Sequence, residues 1–382
     1  MSALKHVQIK GFRRLYDLDL DMRPLMVMIG ANGVGKTSLL DVFSLLSASA
    51  AGNLNIRLNS MGGVADILTF DRGQELSLSI DKDVPGHNPL KYSFTVVPEG
   101  PSYAISSETL SQVKTGYPES FKYIYSIYDD IRYYEGDEGK LVRPNWDHNP
   151  METSLSQVPK MFRQTEELRR ILSSATQYHV LDVRERAPVK LPQQMKPAEL
   201  PGEDGQDLVP FLYYLRETDF ERYDTIIDTL KSAFGGFESL QFPPVAAGML
   251  AMTWKDKQFK KPMYMHQLSE GTLRFLWLVA LLQSPGLSTI TMIDEPEVSL
   301  HPELLSILLE LMREASQRTQ LIVATHSDRL IRFLKPEEVV IMDIMDDGCA
   351  GAVWSDSCDL EEWLAEYSLD EVWRMGRMGG RS

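Results

Sequence analysis

Hydrophobic and polar residues alternate along the first part of the chain and predict two short strands. The alternation runs through Leu4–Ile9 and again through Leu15–Leu20, with a turn at residues 11–14 between them. An unbroken apolar run follows at Leu25–Ile29 and predicts a buried strand. The residues after it become helix-like from Ser38 to Leu46. This order predicts a buried strand, a short loop and a helix.

The C-terminal half of the chain alternates predicted helices and strands. In order these are a helix at 272–282, a strand at 289–293, a helix at 302–316, a strand at 321–324, a helix at 329–333 and a strand at 338–342. Such alternation favours a parallel sheet with helical crossovers. Glu75–Ile80 and Tyr92–Val97 resemble an antiparallel pair. We expect an α/β fold with an N-terminal antiparallel part and a central, mostly parallel sheet flanked by helices.

Residues 105–174 differ in character from the rest of the chain. Aromatic residues are dense from Tyr117 to Tyr134, and prolines interrupt the stretch at Pro144 and Pro150. It shows no sustained heptads, which argues against a coiled-coil arm. We predict a mostly helical insertion here, and its aromatic stretch is the first place to seek a partner surface.

Composition and charge narrow the class of protein. The 382 residues are 43% hydrophobic and 24% charged, as in an ordinary globular protein, and no apolar run is long enough to span a bilayer. The start of the chain lacks the apolar core of a secretion signal, and only two cysteines occur, which predicts a cytoplasmic protein without membrane contact. A net charge of −15 argues against a surface that binds nucleic acid throughout, but a local basic groove stays open.

The segment Gly30–Thr37 fits the phosphate-loop pattern G-x-x-x-x-G-K-[ST] at every fixed position. Glycines let successive backbone N–H groups point inward at a helix N-terminus, which creates an anion site. Lys36 adds a cation for the β- and γ-phosphates, and the Thr37 hydroxyl can ligate Mg²⁺. The sequence therefore predicts binding of ATP with Mg²⁺. The predicted binding residues are Gly30, Asn32, Gly33, Val34, Gly35, Lys36, Thr37 and Ser38.

Two carboxylates follow the predicted strand at 289–293. Asp294 and Glu295 would lie at the carboxyl edge of a parallel sheet, where open α/β sheets bind their ligands. We expect Asp294 to hold Mg²⁺, usually through a water, and Glu295 to orient and deprotonate the attacking water.

Further motifs resemble those of ABC-type ATPases. Residues 268–272, Leu-Ser-Glu-Gly-Thr, are similar to the signature motif, written LSGGQ, although Glu270 replaces its first glycine. Residues 297–302 resemble the D-loop of RecF-like and OLD-like ATPases, and residues 325–327 resemble the H-loop. Residues 9–13 and the tail at 364–380 are similar to the ends of RecF-like ATPases. The chain is thus identified as resembling the RecF-like, SMC- and OLD-related ATPases, without a coiled coil or a nuclease domain.

The resemblance implies an ABC-type ATPase head. Its lobe I with the Walker A motif would span residues 1–104, the helical insertion 105–174, and lobe II with signature, Walker B, D-loop and H-loop 175–382. It further implies a catalytic role for His326 beside Glu295 and Lys36, and a contact of Arg13 with the nucleotide base or the γ-phosphate. No glutamine can be placed firmly as the Q-loop residue, and Gln177 is our candidate.

In the resembling family the signature loop reaches the nucleotide of the opposite protomer. Ser269 and Gly271 would then complete a site in a second copy, so that an ATP-dependent, head-to-tail homodimer encloses two ATP molecules. The main hypothesis is an ATPase switch that controls a separate effector protein or a DNA-linked process, such as anti-phage defence or repair. One alternative is a scaffold or sensor that binds ATP without hydrolysing it. A nuclease is the weaker alternative.

Overall fold

The computed structural model describes residues 4–114, 120–135, 140–159, 163–358 and 367–376. The described strands are β1 (Leu4–Phe12), β2 (Leu15–Asp21), β3 (Leu25–Ile29), β4 (Leu76–Lys82), β5 (Leu90–Glu99), β6 (Ser102–Val113), β7 (Ser120–Ile127), β8 (Asp130–Glu135), β9 (Lys140–Val142), β10 (Thr176–Tyr178), β11 (Gln193–Gln194), β12 (Phe237–Gln241), β13 (Pro244–Val245), β14 (Met249–Leu250), β15 (Thr253–Asp256), β16 (Met263–Tyr264), β17 (Ile290–Asp294), β18 (Gln320–Ala324), β19 (Val339–Ile344) and β20 (Ala350–Trp354).

The described α-helices lie mainly between these strands. They are α1 (Lys36–Ala51), α2 (Leu54–Ser60), α3 (Val64–Ile67), α4 (Ser154–Gln157), α5 (Arg163–Ser173), α6 (Leu208–Thr218), α7 (Phe220–Ala233), α8 (Glu270–Gln283), α9 (Pro302–Ser316), α10 (Asp328–Ile331) and α11 (Leu369–Arg374). Across the described part of the chain, none of them combines the length and the apolar character needed to cross a membrane.

The six-stranded sheet carries the phosphate loop. Its strand order is β10-β17-β18-β3-β19-β20, and all neighbours are parallel except the edge strand β20. Leu25, Val27 and Ile29 of β3 join the core formed with α6 to α9, whereas Met26 and Met28 join the core formed with α1 and the second large sheet. Because both faces of β3 are buried, the strand is apolar at every position.

The eight-stranded sheet is antiparallel throughout. Its order is β2-β1-β4-β5-β6-β7-β8-β9, and the hairpin of β1 and β2 and the pair β4 and β5 occur where the sequence predicts them. Alternate residues such as Val7 and Ile9 on β1, or Leu78 and Ile80 on β4, are buried in the core beneath the sheet. The predicted antiparallel and parallel parts of the α/β fold are therefore both present.

The prediction of a mostly helical insertion over residues 105–174 is wrong. Strands β6 to β9 extend the antiparallel sheet through this region, and the expected boundary at residue 105 falls inside β6. The reason is visible in β7, where Tyr123 and Tyr125 alternate with Lys122 and Ser126. Aromatic residues at alternate positions favour a pleated, half-buried strand over a helix. Helices in this region are limited to α4 and α5 in the described part of the chain.

A buried carboxylate fastens the helical segment after these strands to the sheet. Glu108 on β6 accepts hydrogen bonds from the backbone N–H groups of Ser154 (2.6 Å) and Leu155 (2.8 Å) at the start of α4, and from the Tyr92 hydroxyl (3.1 Å). Burial raises the pKa of Glu108, and the two backbone hydrogen bonds oppose this rise. Since the carboxylate satisfies two N–H groups that would otherwise be buried without acceptors, it fixes α4 on the sheet.

Candidate nucleotide-binding site

The phosphate loop lies between the end of β3 and the start of α1. Gly30 and Gly35 adopt φ angles of 154° and 115°, a region that side chains disfavour. A Cβ atom on Gly30 would also collide with the backbone carbonyl oxygen of Met342 on β19. Gly35 occupies the N-cap of α1, so no side chain competes for the free N–H groups of the first helical turn. The loop therefore presents an open helix N-terminus, the local geometry that suits a phosphate.

The Lys36 side chain folds over this loop. Its Nζ atom donates to the carbonyl oxygens of Gly30 (2.6 Å) and Ala31 (2.9 Å). Burial lowers the pKa of Lys36, while the nearby carboxylates of Glu295 and Asp294 oppose the shift. The ammonium thus lies between the loop and the acidic end of β17.

Strand register brings the acidic pair to the phosphate loop. Asp294 pairs with Ala324 on β18, and Ala324 pairs in turn with Met28 on β3. A cleft of about 310 Å³ opens at this edge of the sheet. It is lined by Arg13, Arg14, Asn32, Gly33, Gly35, Lys36, Thr37, Ser38, Asp294 and Glu295. Of the residues predicted within one chain, Gly30, Val34 and His326 are not among those that line the cleft, and Val34 is buried.

Two hard oxygen donors line the cleft. The Thr37 hydroxyl and the Asp294 carboxylate are the ligand types that Mg²⁺ takes when phosphates and waters supply the remaining ligands. Burial raises the pKa of Asp294, and the neighbouring Glu295 charge raises it further. A cation at this place would relieve that crowding of negative charge, so the residues present fit Mg²⁺.

Glu295 and His326 form a close pair beside the cleft. The His326 Nδ1 atom lies 3.0 Å from Glu295 Oε1, and each side chain is roughly half exposed. Glu295 leaves β17 with a φ of +50°, and its N–H donates to the carbonyl oxygen of Ala324 (2.8 Å) at the end of β18. The positive φ is rare for a side-chain-bearing residue and turns the carboxylate toward the loop that carries His326.

Arg13 lies where the two large sheets meet. It has a φ of 47°, and its Nη1 atom donates to Asp41 Oδ2 (2.7 Å) and to Ser38 Oγ (3.4 Å) on α1. Arg13 and Arg14 also line a second cavity of about 810 Å³, whose wall includes the exposed ring of Phe70. Sequence reasoning missed Arg14, Asp41 and Phe70. For Arg14 a signal existed, since it follows Arg13 in the same turn.

The signature segment lies outside this cleft. Ser269 caps α8, with its Oγ accepting the Thr272 N–H at 3.1 Å, and it is exposed. Gly271 packs against the D-loop, because a Cβ atom there would lie 2.5 Å from the Ser299 carbonyl oxygen. The Glu270 carboxylate lies 3.9 Å from Arg274 Nη1 on the next helical turn, which offsets its negative charge.

The end of β10 contributes a histidine that sequence reasoning missed. His179 follows the strand directly, lies near Asp294 and Glu295, and lines a small cavity with them. Gln177, our Q-loop candidate, is not among the residues that line the cleft, and its Oε1 accepts the Ser44 hydroxyl on α1 (2.6 Å).

The fold and the site together define a P-loop ATPase head of the α/β class. The chain belongs to the family described as "AAA domain, putative AbiEii toxin, Type IV TA system", whose model matches residues 25–332. It is also 34% identical over 82 residues to an OLD nuclease of Thermus scotoductus. That segment spans 22% of this chain and only 15% of the length of the nuclease.

Solved structures support the same fold. An Smc head bound to the C-winged helix domain of ScpA matches 92% of this chain and 97% of its own, at 14% identity and a TM-score of 0.57. A Pyrococcus furiosus Smc head with an extended coiled coil, bound to the C-terminal domain of ScpA, matches 99% of both chains at 12% identity and a TM-score of 0.53. Identities this low show the fold alone. The predicted resemblance is confirmed at the level of an ATPase-head fold shared with the Smc heads and of a short stretch of sequence similar to an OLD nuclease.

Proposed function

We propose that this protein is an ATP-hydrolysing switch that closes as a head-to-tail homodimer around two ATP molecules and thereby controls a separate effector protein or a DNA-linked process. One observation carries the catalytic part of this proposal. The phosphate loop, Asp294 and the close pair of Glu295 and His326 meet at one edge of the parallel sheet. That arrangement supplies the charge neutralisation and the base that phosphoryl transfer to water requires.

The triphosphate would lie along the loop from Gly30 to Ser38, against the N-terminus of α1. Lys36 would exchange its bonds to the Gly30 and Ala31 carbonyls for bonds to the β- and γ-phosphates. Thr37 and Asp294 would hold Mg²⁺, which neutralises phosphate charge when bound. The second cavity, which shares Arg13 and Arg14 with the cleft, has room for the ribose and base.

Glu295 is the candidate base for hydrolysis. Its carboxylate would accept a proton from the water that attacks the γ-phosphate, while the P–O bond to the leaving ADP breaks. His326 would hold that carboxylate in place through the 3.0 Å contact between Nδ1 and Oε1. Both side chains are open enough to solvent for a water to reach them.

A second copy would complete the site. Ser269 and Glu270, at the start of the 14-residue helix α8, are exposed and lie apart from the cleft of their own chain. An exposed helix N-terminus with a serine hydroxyl suits the γ-phosphate of an opposite protomer. The tight packing of Gly271 on Ser299 would make the signature loop and the D-loop of one chain move as a unit.

The matched family and the charge of the chain bear on the kind of effector. The matched family is described with a toxin and a toxin–antitoxin system, which favours regulation through a separate partner protein. The net charge of −15 suits a basic protein partner better than extended nucleic acid. No observation on the described residues favours the nuclease alternative.

A mixing experiment tests the composite site. Lys36→Ala removes the phosphate cation and Ser269→Arg blocks the contact in trans, so each chain alone should lose ATP turnover, with and without DNA. In a head-to-tail dimer each site takes its phosphate loop from one chain and its signature loop from the other, so a mixed dimer has one intact site out of two. About half of the dimers in an equal mixture are mixed, so about a quarter of all sites should be active. Ser173→Arg, an exposed serine on α5, is the matched control. A mixture without recovered turnover contradicts the proposal, and a wild-type chain that binds ATP without turnover supports the scaffold instead.

A further inference from the structure

Glu297 turns its carboxylate into the protein, two residues after Glu295. Its Oε1 atom accepts a hydrogen bond from Thr325 Oγ1 at 2.5 Å. Its Oε2 atom is buried without a hydrogen-bond partner among the described residues, and the whole residue is 9% exposed. Burying a carboxylate with one unpaired oxygen lowers the stability of the fold, whereas an apolar side chain of similar size would lose no hydration there. This cost in stability suggests that the contact of Glu297 with Thr325 has a functional role.

Thr325 ties that contact to the phosphate-loop strand. The residue is fully buried, and its N–H donates to the carbonyl oxygen of Met28 on β3 at 3.0 Å. Its Oγ1 atom also accepts the N–H of Ser327 at 3.0 Å, which shapes the turn that carries His326. A single hydroxyl thereby joins the D-loop side of the site to the H-loop side.

The two joined residues flank the reacting pair. Thr325 directly precedes His326, and Glu297 lies just beyond Glu295, whose φ of +50° is uncommon for a residue with a side chain. Strained backbone of this kind persists only where the surrounding contacts hold it in place. The backbone N–H of Glu295 donates a hydrogen bond to the end of β18. The hydrogen bond between Glu297 and Thr325 is therefore a second link between the segment after β17 and the end of β18.

We infer that Glu297 and Thr325 are a positioning pair that keeps Glu295 and His326 at hydrogen-bond distance. This inference rests on the proposed ATPase function. Burial raises the pKa of Glu297; the Thr325 hydrogen bond and the charge of His326 oppose the rise, and the charge of Glu295 adds to it. Neither residue lines the cleft, so the pair should act on the rate of the chemical step and leave ATP binding to the loop.

The decisive variants test the Thr325 hydroxyl. Thr325→Val removes it and should lower kcat about 10- to 100-fold, the scale of a misplaced catalytic group, with KM and ATP affinity within about twofold of wild type. Thr325→Ser keeps it and should retain most of the wild-type kcat. The double variant Glu297→Leu/Thr325→Val should lose no more than the worse single variant, because both substitutions break the same contact. Thermal melting with ATP checks that each chain is folded.

Three outcomes would overturn the inference. They are a wild-type kcat in Thr325→Val, a Thr325→Ser chain as slow as Thr325→Val, and a double variant whose loss is the product of the two single losses. If Thr325→Val does not fold, Glu297→Gln takes its place. The amide oxygen of glutamine can still accept the hydrogen bond from Thr325, so kcat should fall only a few-fold. A loss of kcat as large as that of Glu295→Gln overturns the inference.

A spectroscopic readout separates this inference from the proposed function. The chain has seven histidines, so ¹⁵N-labelled ring signals are few, and His326→Gln identifies the relevant one. Thr325→Val should move the His326 signal, whereas Thr325→Ser should leave it in place, even if the wild-type chain does not hydrolyse ATP. An unmoved His326 signal in Thr325→Val contradicts the positioning role.

Discussion

Lys36→Met removes the ammonium that lies between the phosphate loop and the acidic pair. In the structure this group makes two bonds to neutral carbonyls, at 2.6 Å and 2.9 Å. Bound ATP would replace these neutral acceptors with phosphate oxygens, so that both partners of each bond are ionised. The added attraction between two unit charges about 4 Å apart lies between about 1 kcal/mol in water and about 4 kcal/mol at an effective dielectric constant of about 20. A gain of about 2–3 kcal/mol lies within this range, so the variant should bind ATP about 30- to 150-fold more weakly.

Calorimetric titration with ATP at constant Mg²⁺ measures this loss directly. Lys10→Met is the matched control, because Lys10 is an exposed lysine on β1 and its loss should leave the ATP dissociation constant unchanged. Thermal melting gives a second readout, since ATP should stabilise the wild-type chain and the control far more than the variant. An ATP affinity in Lys36→Met equal to that of wild type would refute the assignment of the loop as a phosphate site.

Three further predictions concern the carboxylates. Glu295→Gln should lower ATP turnover about 10²- to 10⁴-fold with ATP affinity preserved, and near-normal turnover rejects Glu295 as the base. The raised pKa of Asp294 means that the folded chain keeps this proton to higher pH than the unfolded chain does, so stability falls as pH rises through that range. Asp294→Asn should therefore raise the melting temperature at neutral pH while abolishing Mg²⁺-dependent turnover, and a lower melting temperature contradicts this. Glu108→Ala leaves two backbone N–H groups of α4 without their acceptor and should cost about 2–5 kcal/mol in urea unfolding; a loss below about 1 kcal/mol argues against the fastening role.

The site was predictable where its chemistry is local. The phosphate loop carries its own geometry, since an apolar strand, glycines and a helix start follow one another at Leu25–Leu39. Asp294 and Glu295 were predictable for a related reason, because the ends of parallel strands converge at one sheet edge. The structure places these residues around one cleft.

The rest depends on contacts between distant parts of the chain. The bond between Glu297 and Thr325 exists because β17 and β18 are neighbours with a particular register, which motif reading does not supply. The same holds for Arg13, which meets Asp41 only after two sheets have packed together. In residues 105–135 the density of aromatic residues favours a helical insertion, whereas their alternation fits the strands that the chain adds to an existing sheet.

The oligomeric state of Glu295→Gln with ATP and Mg²⁺ tests the central claim most directly. Light scattering coupled to size-exclusion chromatography gives the mass of the complex without a label. We expect the Glu295→Gln protein to have the mass of one 43.4 kDa chain without ATP and of two chains with ATP. With Ser269→Arg added to the same chain, the protein should keep the mass of one chain in the presence of ATP. A Glu295→Gln chain that binds ATP but keeps the mass of one copy at every protein concentration would contradict the account.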